Sequence, residues 1–131
     1  KAKGKCTKQC TIDGADVYTI DNYLRVVYCI ESSDAEALRQ AFMKLYNSWV
    51  KEEEVEPMMN VVCLYRDGKW YLFVIPRGAF RPWQYTAEGD KQLLVSPATV
   101  EVSGLFITPV KEHFERITKE DVVDILTQCS Y

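Results

Sequence analysis

Histidine is nearly absent from this chain, which has a single one, His113, in 131 residues. One imidazole leaves no room for a catalytic histidine pair within these residues. It stands among Lys111, Glu112 and Glu115, which predicts an exposed, solvated side chain. The glycine-rich fingerprints are missing too. No G-x-S-x-G elbow, P-loop or G-x-G-x-x-G run occurs, so those nucleophile turns and phosphate cradles are excluded. No apolar run approaches the roughly 18 residues that a membrane span needs. Residues 1–15 lack the apolar segment of a signal peptide. Charge of one sign is scarce as well. The net charge of -3 argues against a nucleic-acid or membrane-surface binder. The basic start, Lys1, Lys3, Lys5 and Lys8, is interrupted by Gly4 and Cys6 and reads as a solvated tail.

Cysteine is present without a disulfide framework. The five, Cys6, Cys10, Cys29, Cys63 and Cys129, are odd in number. Cys29 and Cys63 sit in apolar runs, where a free thiol behaves as a small buried hydrophobe. Cys6 and Cys10 have no second ligand pair nearby, and a zinc site needs about four ligands. The expectation is a reduced, cytoplasmic protein that holds no metal and no cofactor.

What is present fits an ordinary globular domain, 47% apolar and 27% charged. The chain does not begin with Met, and it reads as a processed protein or part of a longer one. Residues 1–15 are expected to be a tail or linker, and residues 16–131 a single domain. Residues 17–30 carry β-branched and aromatic side chains for one long strand, or two short ones broken near Asp21-Asn22. Ser33 and Glu36 have capping-box spacing. The helix that follows places Leu38, Ala41, Phe42, Leu45 and Trp49 on one stripe. It should fade in the acidic run with Glu52, Glu53 and Glu54 and end before Pro57.

Residues 60–65 and 70–75 read as two strands joined at Asp67-Gly68, a strong hairpin signal. Both are apolar at nearly every position, which predicts a central hairpin covered on both faces. Residues 76–91 form a long loop, and residues 92–95 and 99–108 return to strand character around Ser96-Pro97. Thr118 and Asp121 open a last helix with Val122, Ile125, Leu126 and Cys129 as its apolar stripe. The sum is an α+β fold, an antiparallel sheet with helices packed on it.

The loop concentrates the residues suited to chemistry: Arg77, Phe80, Arg81, Trp83, Gln84 and Tyr85. Guanidinium groups match phosphate oxygens in pairs. Aromatic faces suit a base or sugar, and Gly78 lets a backbone come close. The other reading of the same aromatics is that they anchor the loop to the domain. Glu101 lies in an otherwise apolar or small stretch, so it belongs to an exposed sheet face or to a polar site.

The run from Asn60 to Cys129 resembles a known family. It is similar to the carboxy-terminal region shared by ATP adenylyltransferases and GDP-hexose phosphorylases of the GDP-L-galactose phosphorylase kind. The pieces are Met59 to Leu64, the tryptophan strand Trp70 to Arg77 ending in Val74-Ile75-Pro76-Arg77, then Leu94 to Ala98, Val102 to Phe106, and Ile117-Thr118. The resemblance implies a histidine-triad-like half, similar to half of galactose-1-phosphate uridylyltransferase. In such enzymes one histidine takes up a nucleotidyl group covalently before phosphate or a sugar phosphate accepts it. His113 matches nothing in that motif, so the resemblance implies a nucleophile supplied from upstream and no catalytic residue in this chain. It implies a nucleotide substrate, a dinucleoside polyphosphate or a nucleotide sugar, and an upstream domain as partner; Pro82-Trp83-Gln84-Tyr85 depart from the family pattern, and the loop's own residue types add the expected substrate contacts, Arg77, Arg81, Trp83, Tyr85 and Glu101. A homodimer is a further expected partner. A binding module without turnover and a structural or dimerisation domain stay open beside the phosphorylase reading.

Overall fold

The computed structural model describes residues 5–51 and 56–131. Lys1 and Lys3, and the glutamates at 52–54, lie outside them. The chain divides into two compact units, Lys1–Pro76 and Arg77–Tyr131, where the sequence reads residues 16–131 as one domain.

The first unit is built on a five-stranded sheet: β1 (Cys6–Ile12), β2 (Ala15–Ile20), β3 (Tyr28–Ser32), β4 (Met59–Arg66) and β5 (Lys69–Pro76). The strand order is β1-β2-β3-β5-β4, and every neighbouring pair is antiparallel. The helix α1 (Ala35–Trp49) packs on this sheet, giving the expected α+β architecture. Residues 17–30 break into two strands, with Asn22 at φ 58 in the turn and the Ile20 amide bonded to the Val27 carbonyl. The hairpin at Asp67-Gly68 forms as its sequence dictates, with φ of 52 and 78 at the two turn residues. The segment read as a tail differs, because Cys6–Ile12 pairs with β2. Its alternation of small polar residues gives no apolar signal, and an edge strand needs none on its open side.

α1 begins one residue later than the capping box suggests. Asp34 is the N-cap and its carboxylate accepts from the Glu36 amide at 2.9 Å. The Ser32 hydroxyl accepts from the Asp34 amide at 3.1 Å. The stripe is placed as the spacing requires: Leu38 and Ala41 are buried with Ala15, Val17, Ile30, Leu72 and Val74. Phe42, Leu45 and Trp49 pack half-buried on the same cluster.

The position of the hairpin is a correction. β5 lies between β3 and β4, but β4 is the last strand of the sheet. It is not covered on both faces, and Val61, Leu64 and Tyr65 are exposed. Cys63, expected in the core, is exposed with them, whereas Cys29 is buried.

The second unit centres on Leu93, Val95 and Ile125, with Phe106 and Ile117 packed against them. Its helices are α2 (Thr99–Val102), α3 (Lys111–Arg116) and α4 (Lys119–Gln128). The start of α4 follows the sequence closely: Thr118 caps it and Asp121 bonds back to the Thr118 amide at 2.8 Å. Two expected strands are replaced. The amides of residues 93–95 bond to Gln84 O, His113 Nδ1 and Leu93 O instead of to a neighbouring strand. Residues 99–102 turn into α2, closed by Gly104 at φ 99, whose amide bonds to the Glu101 carbonyl. Apolar pattern alone cannot separate a short strand from a short buried turn.

Candidate functional site

The loop after β5 is fixed from beneath by its own side chains. Arg77 is only 7% exposed and turns inward. Its Nη2 donates to the Phe80 carbonyl at 2.5 Å and its Nε to the Ala79 carbonyl at 3.3 Å. The Phe80 ring lies 5.7 Å from the same guanidinium. Gly78 does permit a close backbone approach, but the approaching group is the chain's own Ser130 carbonyl. A Cβ at residue 78 would sit 2.4 Å from that oxygen. The Arg77–Ser130 bridge and the Gly78 amide on the Cys129 carbonyl tie the loop's start to the chain end.

A polar triangle holds the middle of the loop. Buried Gln84 donates from Nε2 to Asp124 Oδ2 at 2.6 Å. Gln128 Nε2 donates to the same Asp124 oxygen at 2.8 Å and to Gln84 Oε1 at 3.0 Å. Gln128 Oε1 accepts from the Trp83 amide at 3.0 Å. Asp124 and Gln128 are one helical turn apart on α4, so their side chains meet the loop from one face. Downstream, Arg116 donates to the carbonyls of Asp90 and Gln92. Sequence reasoning missed Asp124, Gln128 and Arg116. Their signal, polar residues on an amphipathic helix, is shared by any solvated helical face.

Anchoring from below leaves a distinct set of side chains outward. Trp83 is 52% exposed, and Arg81 is exposed as well. The Arg81 guanidinium lies 4.0 Å from the centre of the Tyr85 ring, a cation–π contact. Among the described residues no hydrogen bond or ion pair occupies that guanidinium, so its donor edge is open to solvent. Trp83, Gln84 and Tyr85 form a single 3-10 turn. Within it, the inward Gln84 separates the two outward aromatics. The arrangement offers a positive fork backed by one ring and flanked by another.

Glu101 and His113 lie elsewhere in the second unit. Glu101 is buried, and its Oε2 accepts from the Ala98 amide at 2.8 Å, which caps α2. It is on neither an exposed sheet face nor a strand. His113 corrects the expectation of exposure: it is 7% exposed, and its Nδ1 accepts from the Leu94 amide at 3.1 Å. The proton then resides on Nε2. The charged neighbours misled because α3 is amphipathic and turns His113 inward while Lys111, Glu112 and Glu115 face out. Among the described residues no group of three or more His, Cys, Asp or Glu side chains is placed to hold a metal ion. No described helix is long and apolar enough to cross a membrane.

Comparison with known proteins gives one match. The family model described as "GDPGP1-like, C-terminal domain" matches residues 3–131. Searches of curated proteins and of solved structures give no match.

Proposed function

Since the chain belongs to the GDPGP1-like C-terminal domain family, that is, to the GDP-L-galactose phosphorylase-like group, we propose that it is the substrate-contacting domain of a nucleotide phosphorylase that acts on nucleotide sugars. The observation that carries this reading is the open Arg81 fork stacked on Tyr85 beside exposed Trp83. Arg81 bonds phosphate oxygens of the nucleotide. Tyr85 holds the guanidinium in place, and Trp83 offers its face to the base or sugar. Arg77, with its donors on the Ala79 and Phe80 carbonyls, serves the same site by shaping the loop. Glu101, buried as the cap of α2, would serve the site by holding that turn.

The nucleophile is not among these residues. The single histidine is buried and accepts a backbone hydrogen bond. In a protein that carries this chain together with a histidine pair, a histidine attacks the α-phosphorus of the GDP-hexose and expels hexose 1-phosphate, and phosphate then breaks the P–N bond of the nucleotidyl-histidine and leaves as GDP. The test is phosphate-dependent release of GDP from a GDP-hexose. Residues 1–131 alone should show no turnover, well below the ~1 per second of a slow enzyme. Arg81→Ala in the protein with the histidine pair should lower kcat/KM by about tenfold to a hundredfold, the equivalent of about 1.5–3 kcal/mol for a hydrogen bond to a charged group. Normal kcat/KM in that variant would defeat the assignment.

A further inference from the structure

The polar triangle under the loop has an unused corner. Asp124 belongs to it, yet Asp124 is an exposed residue of α4. Both amide donors of the triangle, from Gln84 at 2.6 Å and Gln128 at 2.8 Å, reach the same oxygen, Oδ2. A carboxylate oxygen accepts about two hydrogen bonds, so Oδ2 is filled. Among the described residues no hydrogen bond or ion pair reaches Oδ1. The helix therefore presents an acceptor with two open lone pairs, held in orientation by two glutamine amides.

The surroundings of this acceptor suit a flat ring. A shallow hollow of about 410 Å³ on the outer side of α4 is lined by Lys119, Glu120, Val123, Asp124 and Thr127. One side chain bridges the carboxylate and Trp83: Gln128 Oε1 accepts from the Trp83 amide at 3.0 Å, and Gln128 Nε2 donates to Asp124. Trp83 itself is 52% exposed. An open indole is a platform on which any base can stack, so stacking alone does not choose among bases. A fixed acceptor beside the ring does choose, because it favours one pattern of donors over another.

We propose that Asp124 is the specificity-determining residue of the nucleotide site, that it reads the edge of the base stacked on Trp83, and that this base is guanine. The inference rests on the reading of the Arg81 loop as the nucleotide site. An oxygen with two open lone pairs calls for two donors side by side. Guanine carries them on one edge, N1–H and the 2-amine. Adenine and cytosine offer one amino group next to a ring nitrogen that accepts. Uracil offers one N–H between two carbonyls. Each of these sets an acceptor against the carboxylate, which costs affinity. Gln84 and Gln128 are positioning residues in this scheme, since they hold Oδ2 and so fix where Oδ1 points.

The experiment is a titration of the chain with GDP, ADP and the diphosphates of inosine and xanthosine, followed by backbone amide shifts at residues 80–85 and 124–128. Inosine lacks only the 2-amine of guanosine, and xanthosine has a carbonyl in its place. The parent chain should bind GDP at least about tenfold more tightly than the adenine and xanthine nucleotides, the effect of a hydrogen bond to a charged group, with the inosine nucleotide between them. Asp124→Asn keeps a carbonyl for the two glutamine amides and turns the open acceptor into a donor. That variant should bind the xanthosine nucleotide more tightly than GDP. A merely structural role would weaken all four nucleotides together and could not reverse their order. The parent series needs no substitution, so it decides the matter even where Asp124→Asn fails to fold. Equal midpoints for GDP and ADP in the parent, or an Asp124→Asn variant that still prefers GDP to the xanthosine nucleotide, would overturn the proposal. Arg81→Ala, a change at the phosphate contact, should weaken all four alike. GDP binding that needs Arg81 but ignores the base sinks only the role of Asp124, whereas no saturable response to GDP sinks the reading of the loop as well.

Discussion

Arg77 and Arg81 are four residues apart and have opposite surroundings. The buried Arg77 spends its donors on two carbonyls of its own loop, so Arg77→Ala should act on stability before it acts on binding. Removing a buried charged donor that serves two loop carbonyls costs about 1–3 kcal/mol, which thermal denaturation would register as a lowered midpoint. Arg81→Ala should leave that midpoint nearly unchanged, because an exposed cation–π contact is worth only about 0.5–1 kcal/mol. An equal loss in both variants would mean that Arg81 is also structural. Thiol reactivity separates the cysteines in the same way. Burial pushes the Cys29 thiol up to about 11, with smaller contributions from Cys6 and Glu31. In the folded chain a thiol reagent at pH 8 should therefore modify Cys6, Cys10 and Cys63 quickly and leave Cys29 and Cys129 until unfolding. The sign of the linkage is that of an acid held neutral by the fold. Its stabilising effect is complete below the ordinary value of 9.0 and is lost as pH rises toward 11. Rapid labelling of Cys29 at pH 8 would show that its burial is transient.

Elements explain what was and was not legible in the sequence. α1 could be read because an i, i+3, i+4 stripe from Leu38 to Trp49 needs only one apolar partner surface, and the sheet supplies it. Leu38→Ala, at a buried position, should cost about 2–5 kcal/mol, and Leu45→Ala, half-buried on the same cluster, should cost less. A reversed order in chemical denaturation would put the stripe's centre elsewhere. The Asp67-Gly68 hairpin and the Thr118 cap were legible because local geometry alone decides them. The stretches 92–95 and 99–108 were not. Whether Leu93 joins a ladder depends on a neighbour, and its amide finds the Gln84 carbonyl instead. The loop's aromatic and arginine content was visible in sequence, but the inward turn of Arg77 and Gln84 was not. That of Gln84 depends on Asp124 and Gln128, some 40 residues away on α4, and that of Arg77 on the carbonyls of Ala79 and Phe80. Gly78→Ala should confirm how tightly this loop is held, since a methyl group there meets the Ser130 carbonyl. Backbone against backbone leaves no flexible side chain to yield, so amide shifts should move throughout residues 77–85 and at the chain end.

For the whole molecule, the proposed role is to present substrate to a nucleophile carried elsewhere, a role that fits the family and the outward loop. Under that proposal residues 1–131 should hold a nucleotide weakly, because an exposed fork and two ring faces on a surface loop enclose little of it. The most direct measurement is a titration of this chain with GDP, followed by backbone amide shifts, beside the same titration of Arg81→Ala. The predicted result is saturable shifts centred on residues 80–85 at about millimolar GDP, with the midpoint raised at least about tenfold by the substitution. Amides at 80–85 that stay still while GDP reaches about ten times that concentration, or a midpoint that Arg81→Ala leaves unchanged, would contradict the assignment of this loop to the nucleotide.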